Sequence, residues 1–301
     1  MEYSHISVLL VETVSAILPR NDGLFVDGTL GGGGHTTELL HRSPDAHIIA
    51  IDRDVTAIDV CKEKLVGNIE YIHDNFSNIK NILGERTIDG TILDLGVSSH
   101  QFDEAERGFS YRFDAPLDMR MDRTQELTAE QIVNNYSYEE LCNIFWRYGE
   151  EKYANMIATG IINRRPLNTT GELVEIIHNS LPKRYLYTAK KPEKKVFQAL
   201  RIAVNNELDV LHQAIIDFAE SLKSGGRLAV ITFHSLEDRI VKKAYKELVG
   251  ACTCPKDLPY CVCGYKQEYN IITKKPIIAN NEELKINSRA KSAKLRVLER
   301  V

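Results

Sequence analysis

The sequence predicts an α/β fold, a mostly parallel sheet wound with helices and interrupted by a helical domain. Three observations carry that prediction. Short apolar runs alternate with amphipathic stretches over the first hundred residues. The alternation stops between about Phe102 and Leu200, then resumes and ends on two further strand candidates.

Leu24–Asp27, His47–Asp52, Ile69–His73 and Thr91–Asp94 read as the first four strands. Helical stretches lie between them at roughly 35–42, 54–66 and 76–83. Strands alternating with helices imply parallel pairing through right-handed crossovers. The nearly unbroken apolar runs suit strands covered on both faces. In the middle third no strand is expected. Instead there are three capping-box patterns, Thr128-Ala-Glu-Gln131, Ser137-Tyr-Glu-Glu140 and Thr169-Thr-Gly-Glu172, which mark helix starts. The α/β pattern resumes with a helix near 204–223, the strand Arg227–Phe233 and a helix over 236–249. Tyr269–Thr273 and Leu295–Leu298 complete the set as a late strand pair. The expected division is therefore 1–101 and 204–301 as one α/β domain, with 102–203 inserted as a helical, substrate-binding domain.

Composition is that of an ordinary globular chain, 43% hydrophobic and 27% charged over 301 residues. No run approaches the ~18 consecutive apolar residues of a membrane helix, and the first residues lack a signal-peptide layout. The expectation is a cytoplasmic protein with no membrane partner. A formal net charge of −4 argues against a general coat of positive potential. Charge is nonetheless uneven. Seven basic residues fall between Lys183 and Arg201 against the single acid Glu193, and six between Lys285 and Val301 against Glu299. Two such runs on an acidic chain point to a local polyanion site.

The strongest local signal is Asp27-Gly-Thr-Leu-Gly-Gly-Gly-Gly-His35, directly after the first strand and opening a helix. Parallel sheets bind ligands beyond the carboxyl ends of their strands, and glycines there allow close backbone approach. Position 36 is Thr where a G-x-G-x-x-G fingerprint needs its third glycine. Asp52, ending the second strand, is placed to accept hydrogen bonds from both hydroxyls of a ribose. Asp54 reads as the N-cap of the next helix. These features indicate an adenosine-type cofactor and by themselves leave S-adenosylmethionine and NAD both open. A final antiparallel pair on a parallel sheet fits class I (Rossmann-like) methyltransferases better than dehydrogenases, by fold analogy. Phe76 is placed either against an adenine or in the core at a helix start. Asp94 ends the fourth strand where the sheet presents residues to a reacting centre, or else is a buried structural aspartate.

With these residues in view, the chain resembles the bacterial 16S ribosomal RNA cytosine-N4 methyltransferases. The ordered matches run from His5-Ile-Ser-Val-Leu9 through the glycine loop, Ala50–Asp54, Asp94–Ser99, Arg107–Tyr111, Pro116–Asp122 and Tyr148–Glu151. They continue through Phe197–Asn205, Phe233–Arg239 and Ser292–Val297. The resemblance implies S-adenosylmethionine as methyl donor, held by Gly33, Gly34, His35, Asp52, Phe76, Asp94 and Gln101. It also implies the substrate, the exocyclic amine of a cytosine in the P-site decoding region of the small ribosomal subunit, and no DNA partner. Two departures stand out. Position 100 is His where the family more often has Pro, and Lys191–Val196 replaces a segment that usually begins with His-Pro-Ala.

A cytosine N4 amine is a poor nucleophile, so positioning and preorganised electrostatics must supply most of the rate gain. Asp94 is the first candidate acceptor for the amine, or else touches only the methionine moiety. His234, after the fifth strand, is a second catalytic candidate or simply satisfies the strand-to-helix turn. RNA must be gripped with the base splayed out. Arg107, Phe109, Tyr111 and Arg112 interleave cations with aromatics and suit phosphate contact plus stacking, or else belong to a plain packed loop joining the two domains. Lys190, Lys191, Lys194, Lys195 and Arg289 are the expected phosphate contacts. Finally, Cys252-Thr-Cys254 and Cys261-Val-Cys263 read either as a metal knuckle or as incidental thiols. The resembling sequences lack these cysteines, so no metal is expected in the reaction, and any metal bound here would be structural.

Overall fold

A computed structural model of the chain describes residues 7–18, 20–188, 191–254, 260 and 263–301. The elements in chain order are α1 (Leu10–Ala16), β1 (Leu24–Asp27), α2 (Gly34–Arg42), β2 (His47–Asp52), α3 (Val55–Lys64), β3 (Asn68–His73), α4 (Ile79–Leu83) and β4 (Ile88–Asp94). Seven helices follow: α5 (Ser99–Asp103), α6 (Ala129–Asn135), α7 (Tyr138–Gly149), α8 (Ala154–Arg164), α9 (Thr170–Ser180), α10 (Lys183–Thr188) and α11 (Glu193–Asn205). The chain closes with α12 (Leu211–Ser221), β5 (Leu222–Thr232), α13 (Ser235–Val249), β6 (Tyr269–Ile271), α14 (Asn281–Ile286) and β7 (Lys294–Arg300). It divides into two compact units, Met1–Gly96 with Leu208–Val301, and Val97–Glu207.

The first unit is built on a seven-stranded sheet in the order β3-β2-β1-β4-β5-β7-β6. The first five strands in that order are parallel, while β7 runs antiparallel to both β5 and β6. The strands lie where the hydrophobic runs predicted. Their central residues, among them Phe25, Ile48, Ile49, Ile51, Ile92, Leu93 and Val230, are fully buried. Each such side chain contributes roughly 1.5–3 kcal/mol on leaving water. The strand order reverses direction between β1 and β4, so the crevice for a ligand opens beyond their carboxyl ends. The register sets Asp27 opposite Ala50 and Ile92, Asp52 opposite His73, and Asp94 opposite Ile231. Three carboxylates therefore stand along one edge of one sheet. At the far side of the sheet, buried Arg296 on β7 donates to Asp238 on α13 at 2.6 Å, and Tyr245 of α13 donates to the Leu228 carbonyl.

The second unit is helical, with an isolated bridge between Pro116 and Thr169 as its β pairing among the described residues. All three expected capping boxes form, at Thr128, Ser137 and Thr169. Apolar faces of α6–α9 and α11 share one core around Ile132, Leu141, Phe145, Ile157, Leu173 and Leu200. The expected helix near 204–223 forms as α12 but starts later than expected, at Leu211. Asn206 takes a left-handed conformation (φ 50°, ψ 42°) that ends α11.

Candidate functional site

The glycine loop leaves β1 and enters α2 through Gly33, whose φ of +75° favours glycine. Added Cβ atoms explain the neighbours: one on Gly33 would come within 2.9 Å of the Cys61 sulfur, one on Gly34 within 2.0 Å of the Ser7 hydroxyl. A Cβ on Gly32 would meet nothing within 4 Å. The loop is therefore pinned from behind and open at Gly32.

Two aspartates hold the loop in place. Asp27 accepts from the Thr36 hydroxyl at 2.7 Å and from the Thr29 amide at 3.2 Å. Asp52 accepts from the Gly31 amide at 2.7 Å and from the Asp54 amide at 2.8 Å. Each carboxylate oxygen of Asp52 keeps a further lone pair for a ligand hydroxyl. Asp54 itself caps α3, as its position in the sequence predicted. Burial pushes Asp27 and Asp52 up from 3.8 to about 6, although the same hydrogen bonds pull each carboxyl the other way.

Asp94 sits at the end of β4, with its own amide donating to the Thr29 hydroxyl at 2.6 Å. Its side chain is a quarter exposed, yet Oδ1 is buried and has no hydrogen-bond partner. A buried acceptor without a donor costs about 1–3 kcal/mol, so this atom is primed for a donor from a ligand. Burial first, then repulsion from Asp27 and Glu237, drive Asp94 well above the usual carboxylate range. His35 is buried between the Val8 carbonyl (Nε2, 3.2 Å) and Asp94 (Nδ1 to Oδ2, 3.9 Å). Acceptors and raised carboxyls converge on this edge, and such a site suits a ligand carrying both hydroxyls and positive charge. S-adenosylmethionine, with its ribose, ammonium and sulfonium, fits that donor set.

His234 is the N-cap of α13. Its Nδ1 accepts from the Glu237 amide at 3.4 Å, and its Nε2 faces the Glu237 carboxylate at 3.0 Å. The ring thus serves the strand-to-helix turn, one of the two roles left open for it. Glu237 also accepts from the Phe233 amide at 2.7 Å and is buried. A cavity of about 310 Å³ opens beside this turn, lined in part by Phe233, His234, Ile278, Lys291 and Lys294. Phe76 begins a short 3₁₀ turn and stands beside Gly28, where an added Cβ would come within 3.4 Å of it. Gln101 belongs to the second unit. There its side-chain oxygen accepts from the Ser98 amide at 3.1 Å and closes the capping box of α5.

The nucleic-acid candidates separate by burial. Arg107 and Phe109 are corrected. Arg107 is 1% exposed, and its guanidinium donates to the Arg120 and Met121 carbonyls at 3.0 and 2.9 Å. Phe109 is 4% exposed within the helical core. Both residues hold the unit together and present nothing to an RNA. The alternation of cations and aromatics concealed this, because a buried arginine and a stacking arginine look alike in sequence. Tyr111 packs edge-on against Phe197, with the Lys191 ammonium 5.7 Å from its ring. Arg112, Lys191, Lys194 and Arg289 are exposed. Lys195 donates to the Glu150 carbonyl at 2.8 Å. Lys190, Cys261 and the His5 end of the first motif lie outside the described residues. Sequence reading missed Asp27, Thr29, Thr36 and Glu237. Asp27 and Thr29 sit inside the glycine motif and Thr36 directly follows it, so all three needed only a donor-acceptor reading. Glu237 follows a histidine cap that no helix-start pattern contains.

The sheet order, the glycine loop and the row of carboxylates define a Rossmann-like methyltransferase, with S-adenosylmethionine as its cofactor. No helix among the described residues is long and apolar enough to cross a membrane. Residues 2–301 match the MraW methylase family, and the chain belongs to that family. It is 52% identical over 310 residues to a protein of Clostridium botulinum (strain Loch Maree / Type A3) named ribosomal RNA small subunit methyltransferase H, each chain being covered in full. A protein of the same name from Clostridioides difficile (strain 630) is 47% identical over 311 residues, again with both chains covered in full.

Proposed function

We propose that this protein methylates the N4 amine of one cytosine in the P-site decoding region of 16S ribosomal RNA, acting in the cytoplasm on the small subunit. The observation that carries the reading is Asp94 at the edge of β4, with a buried oxygen that lacks a donor. The relatives named as small-subunit rRNA methyltransferases support RNA as the substrate class.

S-adenosylmethionine supplies a methyl group on a positively charged sulfur. Asp52 would bind its ribose hydroxyls through its remaining lone pairs, and Phe76 would lie against its adenine. Asp94 accepts a hydrogen bond from the cytosine amine, which fixes the direction of its lone pair. A positive charge nearby offsets the burial and the repulsion that hold Asp94 high and favours its ionised form. Ionised, it takes the proton that the amine sheds on gaining a methyl group, so charge and protons balance. Gln101 contributes from α5, where the capping box sets its side chain. His234 positions Glu237 and the start of α13. The helical unit, expected over 102–203, binds substrate, with Arg112, Lys191, Lys194, Lys195 and Lys190 meeting phosphates. Arg289 does so from the tail of the other unit, and Tyr111 offers a partial stacking face.

The test is tritiated methyl transfer to small subunits from cells lacking the enzyme, followed by nucleoside mass spectrometry. N4-methylcytidine is expected, and Asp94→Ala should abolish its formation while the chain remains folded. A methyl group on a ring carbon, a ribose or a protein would overturn the substrate assignment.

A further inference from the structure

The connection between α13 and β6 holds a group of side chains that the reaction does not use. Helix α13 starts at the carboxyl edge of β5, and its 15 residues carry the chain about 22 Å away. The connection 250–268 therefore begins at the edge of the sheet opposite the carboxylates. Loops beyond about 12–15 residues without regular structure are uncommon in compact domains unless something organises them. Tyr265 supplies one tie, donating to the Val249 carbonyl at 2.7 Å.

The thiols supply the other. Cys252, Cys254 and Cys263 have sulfur atoms that all lie within 4.8 Å of one another, and those of Cys252 and Cys263 are 3.6 Å apart. A disulfide needs about 2.05 Å. Two sulfurs on one tetrahedral zinc, each bonded at about 2.3 Å, stand about 3.8 Å apart. The observed separations exclude a disulfide and are close enough for the sulfurs to reach a shared ion. Cys252 and Cys263 are exposed and Cys254 is half-buried, so an ion and a chelator both have access.

We propose that Cys252, Cys254 and Cys263 bind one zinc ion as thiolates, a structural metal that fastens the ends of this connection together. On binding, the three thiols release three protons to solvent, and the ion keeps one further tetrahedral position for another donor. Thiolate donors at the edge of the sheet opposite Asp94 favour a structural metal over a catalytic one.

Protein purified under reducing conditions without chelator is measured for metal by mass spectrometry. About one zinc per chain is expected. The double variant Cys252→Ser, Cys263→Ser should carry less than a fifth of that, while Cys142→Ser keeps it in full. In the unaltered protein, cobalt(II) taken up in place of zinc should show a thiolate-to-metal charge-transfer band, a readout that does not depend on the variants folding. Chelation should raise the rate of proteolysis between Val249 and Tyr269 at least tenfold. Reduced protein that takes up neither zinc nor cobalt at one equivalent would overturn the proposal. So would zinc retained in full by the double variant. An intact mass two hydrogens short from a Cys252–Cys263 disulfide, in place of metal, would overturn it as well.

Discussion

Asp27 is the most telling position at which to perturb the site, because it is buried and its cost of ionisation can be worked out. Lifting a carboxyl from 3.8 to about 6 makes its charged form costlier by about 3 kcal/mol, at roughly 1.4 kcal/mol per pKa unit. The folded pKa lies above the unfolded one, so between those values the folded chain holds the extra proton. The penalty is accordingly absent well below 3.8, grows as pH rises, and is complete above about 6. At pH 7 it is about 3 kcal/mol, and at pH 5 about 1.6 kcal/mol. In Asp27→Asn the amide stands in for the protonated acid. It still accepts from the Thr29 amide, and it donates to the Thr36 hydroxyl, which can rotate to receive it. The variant should therefore be more stable than the parent by about 3 kcal/mol at pH 7, narrowing to about 1.6 kcal/mol at pH 5. Equilibrium denaturation in urea at both pH values, without cofactor, measures the gap. A variant less stable than the parent at pH 7, or a gap that does not change with pH, refutes the argument. Affinity for the cationic cofactor should fall in the same variant, because a negative charge close to Asp94 is gone.

Asp52→Ala should weaken S-adenosylmethionine binding by ~1.5–3 kcal/mol, the worth of a charge-assisted hydrogen bond. Calorimetric titration measures this, and an unchanged affinity in a folded variant would remove Asp52 from the cofactor site. Arg107→Ala should destabilise the helical unit by about 2–6 kcal/mol, because the Arg120 and Met121 carbonyls each lose their buried donor, at about 1–3 kcal/mol apiece. Thermal unfolding monitored at Trp146, on α7, tests it. A normal melting curve with weakened RNA binding would restore Arg107 to the RNA surface. Lys191→Ala with Lys194→Ala should flatten the slope of log affinity against log salt by about 1.4, at roughly 0.7 per phosphate on a single strand. RNA binding measured across a salt series reads this, and a parallel loss at every salt concentration would deny both residues a phosphate contact.

The sheet was legible because its signal is local. Ile48–Ile51 and Leu228–Ile231 are covered on both faces, so each strand is written as an unbroken apolar run. Asp52 and Asp94 were legible for the same reason, since an acid closing such a run lies at the carboxyl edge. The helix starts at Thr128, Ser137 and Thr169 also depend only on residues within four positions. What could not be read depends on partners far away in the chain. Arg107 finds its acceptors at positions 120 and 121, and nothing in Arg-Gly-Phe-Ser-Tyr says whether that guanidinium points inward. Glu237 affects Asp94 only because β4 and β5 are neighbours in the sheet. Asp27 was visible within the glycine motif, but as a strand end and not as the group that ties Thr29 to Thr36. The carboxylates share one physical tension. Each is placed by a strand whose burial is favourable, and each is left with a charge that burial opposes. Bound there as proposed, a cationic ligand would relieve that tension at these carboxylates together, so the stability that the buried charges cost would return as affinity for it.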